Sequence, residues 1–396
     1  MILVQALLGL LAPLGAFAPK GLSVLLPLLA VAAWFQARPA VPEVVHRAWP
    51  MAPLVLVGLA SALWSITPAA SFARGAMLVG EALSVAVLAT ALPRLPMARV
   101  LAPVAAGLAL AMAATVIELR LGGPATQFFR GMSAAVVPAA LSNGLTVAVL
   151  LLPPCLAFLW GWRRAAALAL LLLVAAALLL GGQLAARIGL VAGLGAGALA
   201  LLVPWAGRAV ALGFAALVVA LPLLLPLPEN IACSTLLTKP SISHRVHIWN
   251  FAEAKRAERP WLGWGLETAR AIPGGRDMAD IFTPCGIEVM AKFPSTERLP
   301  LHTHNAGLQW WVELGPLGVA AALLLVLVLG FRARSAAAVG SLGAALAILL
   351  LSYGAWQGWW LATLGMVAAV AGLGPRGRKA AAAGAASHAA GGGAGA

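Results

Sequence analysis

Leu301-His302-Thr303-His304-Asn305-Ala306-Gly307-Leu308-Gln309-Trp310-Trp311-Val312-Glu313-Leu314-Gly315 marks the end of a polar run and the start of an apolar one. Behind it, the 76 positions from Pro228 to Thr303 hold 17 charged residues, nine basic and eight acidic; the other 320 positions hold only 21. The second composition suits lipid and the first does not. The chain therefore reads as a membrane-embedded scaffold that holds one polar excursion at one membrane face, with its chemistry there or just beneath.

The whole composition agrees. It is 62% hydrophobic and 10% charged, with a mean hydropathy of +0.97, whereas soluble domains carry about 25% charged residues. Apolar stretches of about 20 residues span a bilayer as helices, and the short alternating segments of a β-barrel are lacking. The opening Met1-Ile2-Leu3-Val4-Gln5 has no basic n-region, so residues 2–17 read as a retained first helix. The formal charge of +14 is dispersed among helix ends. That pattern points to topology and anionic lipid, not to nucleic acid.

Twelve apolar segments can be drawn, near 2–17, 21–36, 50–65, 72–92, 98–118, 142–161, 165–181, 184–203, 209–227, 305–330, 336–352 and 356–373. Pro, Gly and Arg punctuate the connections. One set of alternate loops holds twelve basic residues: Arg38, Arg47, Arg94, Arg99, Arg163, Arg164, Arg208, Arg332, Arg334, Arg376, Arg378 and Lys379. The other set holds five, Lys20, Arg74, Arg120, Arg130 and Arg187. This bias predicts both termini in the cytoplasm and the long loop outside. The expected organisation is helices 1–9 over 1–227, a large outer loop over 228–303, helices 10–12 over 304–373, and a disordered low-complexity tail over 374–396.

Three features bear on packing. Gly189, Gly193 and Gly197 form overlapping small-xxx-small spacings, which let a second helix approach closely. Glu81 lies within an apolar segment, seven residues from Arg74 and so on roughly the same face. A carboxylate there should face the bundle interior with a partner. Cys155 reads as a small buried residue, while Cys233 and Cys285 share the polar loop and can bridge in an oxidising compartment.

Three groups converge by topology on the outer boundary. Arg187 opens the eighth segment, Arg245 lies in a run whose Ser243 is a candidate N-cap, and His304 stands where the chain re-enters the membrane. Guanidinium forks and helix N-termini bind phosphate, and a histidine can take a proton from a hydroxyl nucleophile. Each has a plainer reading: Arg187 as a snorkelling residue, Arg245 as a solvated loop charge. His244, His247, His302 and His304 have spacings that also fit a metal cluster. Against that, the only aspartates are Asp277 and Asp280, neither beside a histidine, and the first outer loop has no acid. Trp249, Trp261, Trp264, Trp310 and Trp311 crowd the region as belt residues or as platforms for sugar rings. No P-loop, dinucleotide fingerprint or nucleophile elbow is present.

These residues resemble the O-antigen ligase family, within the superfamily that includes O-antigen polymerases. The resemblance is carried by His304-Asn305-x-x-Leu308-Gln309 with Glu313 and Gly315, by Arg245-x-x-Ile248-Trp249 followed by Pro260-Trp261-Leu262-Gly263-Trp264-Gly265, and by Arg187. Ala186 stands where the family often has Ser or Thr. The resemblance implies an all-α, GT-C-like integral membrane protein with about twelve transmembrane helices and one long periplasmic loop, in the bacterial inner membrane. It implies transfer of a glycan from undecaprenyl pyrophosphate to a sugar hydroxyl of lipid A–core, metal-independent and inverting, with no cofactor. It further implies that Arg187 and Arg245 hold the pyrophosphate and that His304 activates the acceptor, with Arg74, His302, Asn305 and Trp249 as further substrate-binding candidates. A glycan polymerase or a protein O-oligosaccharyltransferase differs only in acceptor. A transporter or flippase would instead show internal repeats and charges near the midplane.

Overall fold

The computed structural model of the chain describes residues 1–226, 240–279 and 296–373. Cys233, Cys285 and their expected bridge lie outside these residues, as does the tail after 373. Cys155 is a buried free thiol.

The chain is an all-α integral membrane protein. Its helices are α1 Ile2–Gly9, α2 Leu11–Phe17, α3 Leu22–Ala37, α4 Val41–Ala48, α5 Ala52–Ala60, α6 Pro68–Ala91, α7 Met97–Arg120, α8 Pro124–Arg130, α9 Val137–Ala140, α10 Ser142–Trp160, α11 Arg164–Gly181, α12 Leu184–Leu202, α13 Ala206–Leu224, α14 Pro240–Glu258, α15 Ala306–Arg332, α16 Ala336–Leu351 and α17 Gly358–Ala371. Among the described residues, nine helical stretches are long and apolar enough to cross a membrane, and three further apolar helices are shorter. A two-stranded antiparallel pair, β1 Met278–Ala279 with β2 Thr296–Glu297, is the one sheet among the described residues.

Two local rules position the site. The first is close helix approach. α10 is buried on every side from Gly144 to Leu152 and is the central post. Beside it α12 lies against α16, where a methyl on Gly193 would stand 3.0 Å from the Gly340 carbonyl. The small-residue spacing is thus occupied by a neighbouring helix backbone.

The second rule is the break in α15. Gly315 has φ 61 and ψ −161, and Pro316 follows it. Pro316 has no N–H for the Val312 carbonyl, so that acceptor needs another donor. Trp264 N–H supplies it at 3.0 Å, and Gly265 N–H donates to the Glu313 carbonyl at 2.8 Å. The Pro260–Gly265 segment is therefore docked backbone to backbone on the kink. A side chain at Gly263 would meet Glu313 main-chain atoms at 2.5 Å, and one at Gly315 would meet the Trp261 carbonyl at 2.3 Å. Glycine is required at both because two backbones touch.

The helix ends sort into two layers. Arg94 pairs with Glu43 and donates to the Arg38 carbonyl at 3.3 Å, at the end where α3 and α6 finish. At the other end lie the starts of α3, α6, α12, α15 and α17, with α14 laid over α15. Ser243, expected as an N-cap, is instead the fourth residue of α14 and is buried. The helix begins at Pro240, whose fixed φ suits a first turn.

Candidate functional site

The site is built on the turn between α16 and α17. Asn305 caps α15, its side chain accepting the Leu308 N–H at 3.0 Å. That cap holds the preceding residue, His304, in a left-handed conformation with φ 54. Ring nitrogen Nδ1 of His304 lies 2.6 Å from the Ser352 carbonyl. A carbonyl only accepts, so Nδ1 carries the proton and Nε2 keeps its lone pair. Burial, then the charge of Arg245, push the pKa of His304 down to about 4, against a smaller upward effect of the Ser352 bond. The imidazole is neutral near pH 7, with Nε2 available as a base.

His302 differs. Its Nδ1 accepts the backbone N–H of His304 at 3.1 Å, so its proton sits on Nε2. The two rings meet edge to face with centroids 4.3 Å apart. Burial, His304 and Arg245 depress its pKa to about 3. His302 is a neutral donor packed against Gly354, where any side chain would fall 2.9 Å from its Cβ.

Arg245 enters from α14. Its Nε donates to the Leu351 carbonyl at 3.0 Å, one residue before the carbonyl that holds His304. Burial lowers its pKa, though a guanidinium stays charged. Trp249, one turn on, donates through Nε1 to the Thr303 carbonyl at 2.9 Å. Its polar atom is thus engaged in holding the 302–305 loop.

Arg187 is joined to this cluster through intermediates. Its Nε and Nη2 donate to the Leu178 and Leu179 carbonyls at 3.1 and 3.0 Å, capping α11. Gln183, at the head of the same helix as Arg187, donates to the Tyr353 hydroxyl at 3.2 Å, and Thr146 lies 2.9 Å from that hydroxyl. Tyr353 follows Ser352 directly. Arg74 is elsewhere: its Nη2 reaches Glu81 at 2.7 and 2.9 Å, the interior pairing expected for that carboxylate.

Sequence reasoning assigned no role to the group that holds the turn. Glu313 is fully buried in α15 and accepts from Glu267 N–H at 2.7 Å, Ala269 N–H at 3.1 Å, Gln309 Nε2 at 3.0 Å and Trp356 Nε1 at 2.6 Å. Gln309 Oε1 takes the Ala355 N–H at 2.8 Å. An acid within an apolar helix was the available signal. Among the described residues, no three His, Cys, Asp or Glu side chains gather as a metal-holding group.

Residues 169–323 match the family model described as O-antigen ligase, a stretch that contains Arg187, Arg245 and His304. Over this stretch the chain is similar to the O-antigen ligase family. It is 34% identical over 145 residues to a protein of Rickettsia prowazekii described as "putative polysaccharide ligase". A protein of Rickettsia typhi with the same description is 33% identical over 145 residues. Each match covers 34% of this chain and 33% of the relative, so the chain spans about a third of the length of these relatives.

Proposed function

We propose that this protein transfers a glycan from undecaprenyl pyrophosphate to a sugar hydroxyl of lipid A–core at the periplasmic face of the bacterial inner membrane. The observation that carries the reading is the bond from His304 Nδ1–H to the Ser352 carbonyl, which leaves Nε2 as a neutral base beside Arg245. In this reading all twelve apolar helices cross the membrane, both termini are cytoplasmic, and the polar loop is periplasmic.

The acceptor hydroxyl gives its proton to His304 Nε2 as its oxygen bonds to the anomeric carbon. The bond from that carbon to the pyrophosphate oxygen breaks, and the pyrophosphate departs with the electron pair. Attack opposite the leaving group inverts the anomeric centre. Arg245 and Arg187 match the charge that develops on the leaving phosphate. His302, a donor through Nε2, and Asn305 act on the substrate side of the same loop. What remains for the protein is positioning and proton removal, so the reaction uses neither metal nor nucleotide.

The test is a defined reaction with purified protein, undecaprenyl-pyrophosphate glycan and lipid A–core in excess EDTA. A joined glycolipid is expected. Activity lost in EDTA and restored by magnesium or manganese would overturn the metal-independent mechanism, and glycan chains lengthened on the carrier lipid would reassign the protein as a polymerase.

A further inference from the structure

At the far end of the 352–358 connection lies a second polar constellation, which the transfer chemistry above does not use. Arg74 and Glu81 form its floor, with side chains only 9% and 19% exposed. Arg74 is incompletely satisfied: its Nε is buried with no hydrogen-bond partner among the described residues, as is Oε1 of Gln357. α17 begins over the pair. A methyl on Gly358 would stand 3.2 Å from Ser23 Oγ, 3.5 Å from Glu81 Oε1 and 3.6 Å from Arg74 Nη1. Buried polar atoms normally find partners, so stranded ones mark a place where a polar guest fits.

Glu267 stands at the opening. Ser71 Oγ donates to the Leu266 carbonyl at 2.6 Å, which docks Leu266 on α6 one turn before Arg74. The next residue, Glu267, is held at φ 60 by its own N–H, which donates to buried Glu313. The residue as a whole is exposed. Burial nonetheless raises its pKa, with Arg74 lowering it and Glu81 raising it again. An exposed residue with a crowded carboxyl describes a group beside the Arg74–Glu81 pair.

The charge sorts the ligand. One cation faces two carboxylates here, so a phosphate is repelled, whereas sugar hydroxyls donate well to carboxylate oxygens. The His304 end carries the opposite bias, with Arg245 and two histidines. We propose that Glu267, backed by the Arg74–Glu81 pair, is the subsite that recognises hydroxyl hydrogens of the acceptor saccharide. The inference rests on the glycosyl-transfer reading and divides its substrates: donor phosphates toward Arg245, acceptor sugar toward Glu267. The left-handed backbone of Glu267 is the cost of presenting a carboxylate where glycine would sit without strain.

That strain separates binding from folding. Initial rates of transfer between undecaprenyl-pyrophosphate glycan and lipid A–core are measured for wild type, Glu267→Gln and Glu267→Gly, together with thermal unfolding in detergent. Both variants should raise the acceptor KM about tenfold or more and leave the donor KM within about twofold, as loss of one charge-assisted contact does. Glu267→Gly should also melt higher than wild type. An unchanged acceptor KM in both variants overturns the subsite, as does an equal rise for the donor. A lower melting temperature for Glu267→Gly, with activity lost in proportion, makes Glu267 structural and also overturns it. No transfer by wild type defeats the underlying glycosyl-transfer reading, a result distinct from either.

Discussion

The backbone N–H of His304 donates to Nδ1 of His302 at 3.1 Å, and this contact sets the two histidines in different tautomers. With His304 Nδ1 donating to the Ser352 carbonyl, His304 keeps its ring lone pair on Nε2, where His302 carries its proton. Two residues that look equivalent in Leu301-His302-Thr303-His304 carry their ring protons on different nitrogens.

The base should be separable from the donor by mutation. His304→Ala is expected to cut the transfer rate by about 10²–10⁴ while donor binding is nearly retained. His302→Ala should cost less. Single-turnover transfer alongside binding of the carrier-linked glycan checks both. A dead His302→Ala beside a fully active His304→Ala reverses the assignment, and two active variants make the histidines structural.

Acidity offers an independent check. Because His304 ionises near pH 4 in the folded protein, kcat/KM should stay level from pH 7 through 6.5 and fall as pH approaches 4. An unperturbed histidine would lose activity near 6.5. Stability follows the same direction. The folded-state pKa values of His302 and His304 are depressed to about 3 and 4. Their contribution is complete above the unfolded value of about 6.5 and is lost as pH falls through the folded values. Rate profiles and melting temperatures from pH 7 to 4 test this.

In the proposed reaction the donor side rests on charge. Arg245→Ala and Arg187→Ala should each weaken binding of the pyrophosphate-linked glycan by about 1.5–3 kcal/mol, the worth of a hydrogen bond to a charged group. Arg187→Ala should also loosen α11, since two of its carbonyls lose their cap. Equilibrium binding of the donor to each variant decides this, and wild-type affinity in both would remove the arginines from the donor site.

Glu313 tests the scaffold. Glu313→Ala leaves four N–H groups without their acceptor, three of them buried, and each buried one costs about 1–3 kcal/mol. The variant should lose at least about 3 kcal/mol of stability and release the 352–356 turn on which His304 depends. Denaturation in detergent measures the first effect, and activity at low temperature, where the protein is still folded, measures the second. Wild-type activity there would show that the turn holds without it.

The membrane helices and the polar face were legible in the residues because both depend on residue type. Hydropathy follows composition, Gly193 permits a neighbour by lacking a side chain, and Asn305 caps the helix with its own oxygen. Glu81 in lipid demanded a cation, and Arg74 at the right spacing supplied one. What distinguishes His304 from His302 was not legible, nor was the engagement of Arg187 with α11 or of Trp249 with the 302–305 loop. In each case the partner is a main-chain group: the Ser352 carbonyl and the His304 N–H, the Leu178 and Leu179 carbonyls, the Thr303 carbonyl. Nearly every residue carries an N–H and all carry a carbonyl, so such partners leave no mark in the amino-acid alphabet. Which ones meet depends on where the chain packs. The left-handed backbone of Glu267 belongs with them, since its strain is sustained by a carboxylate 46 residues away.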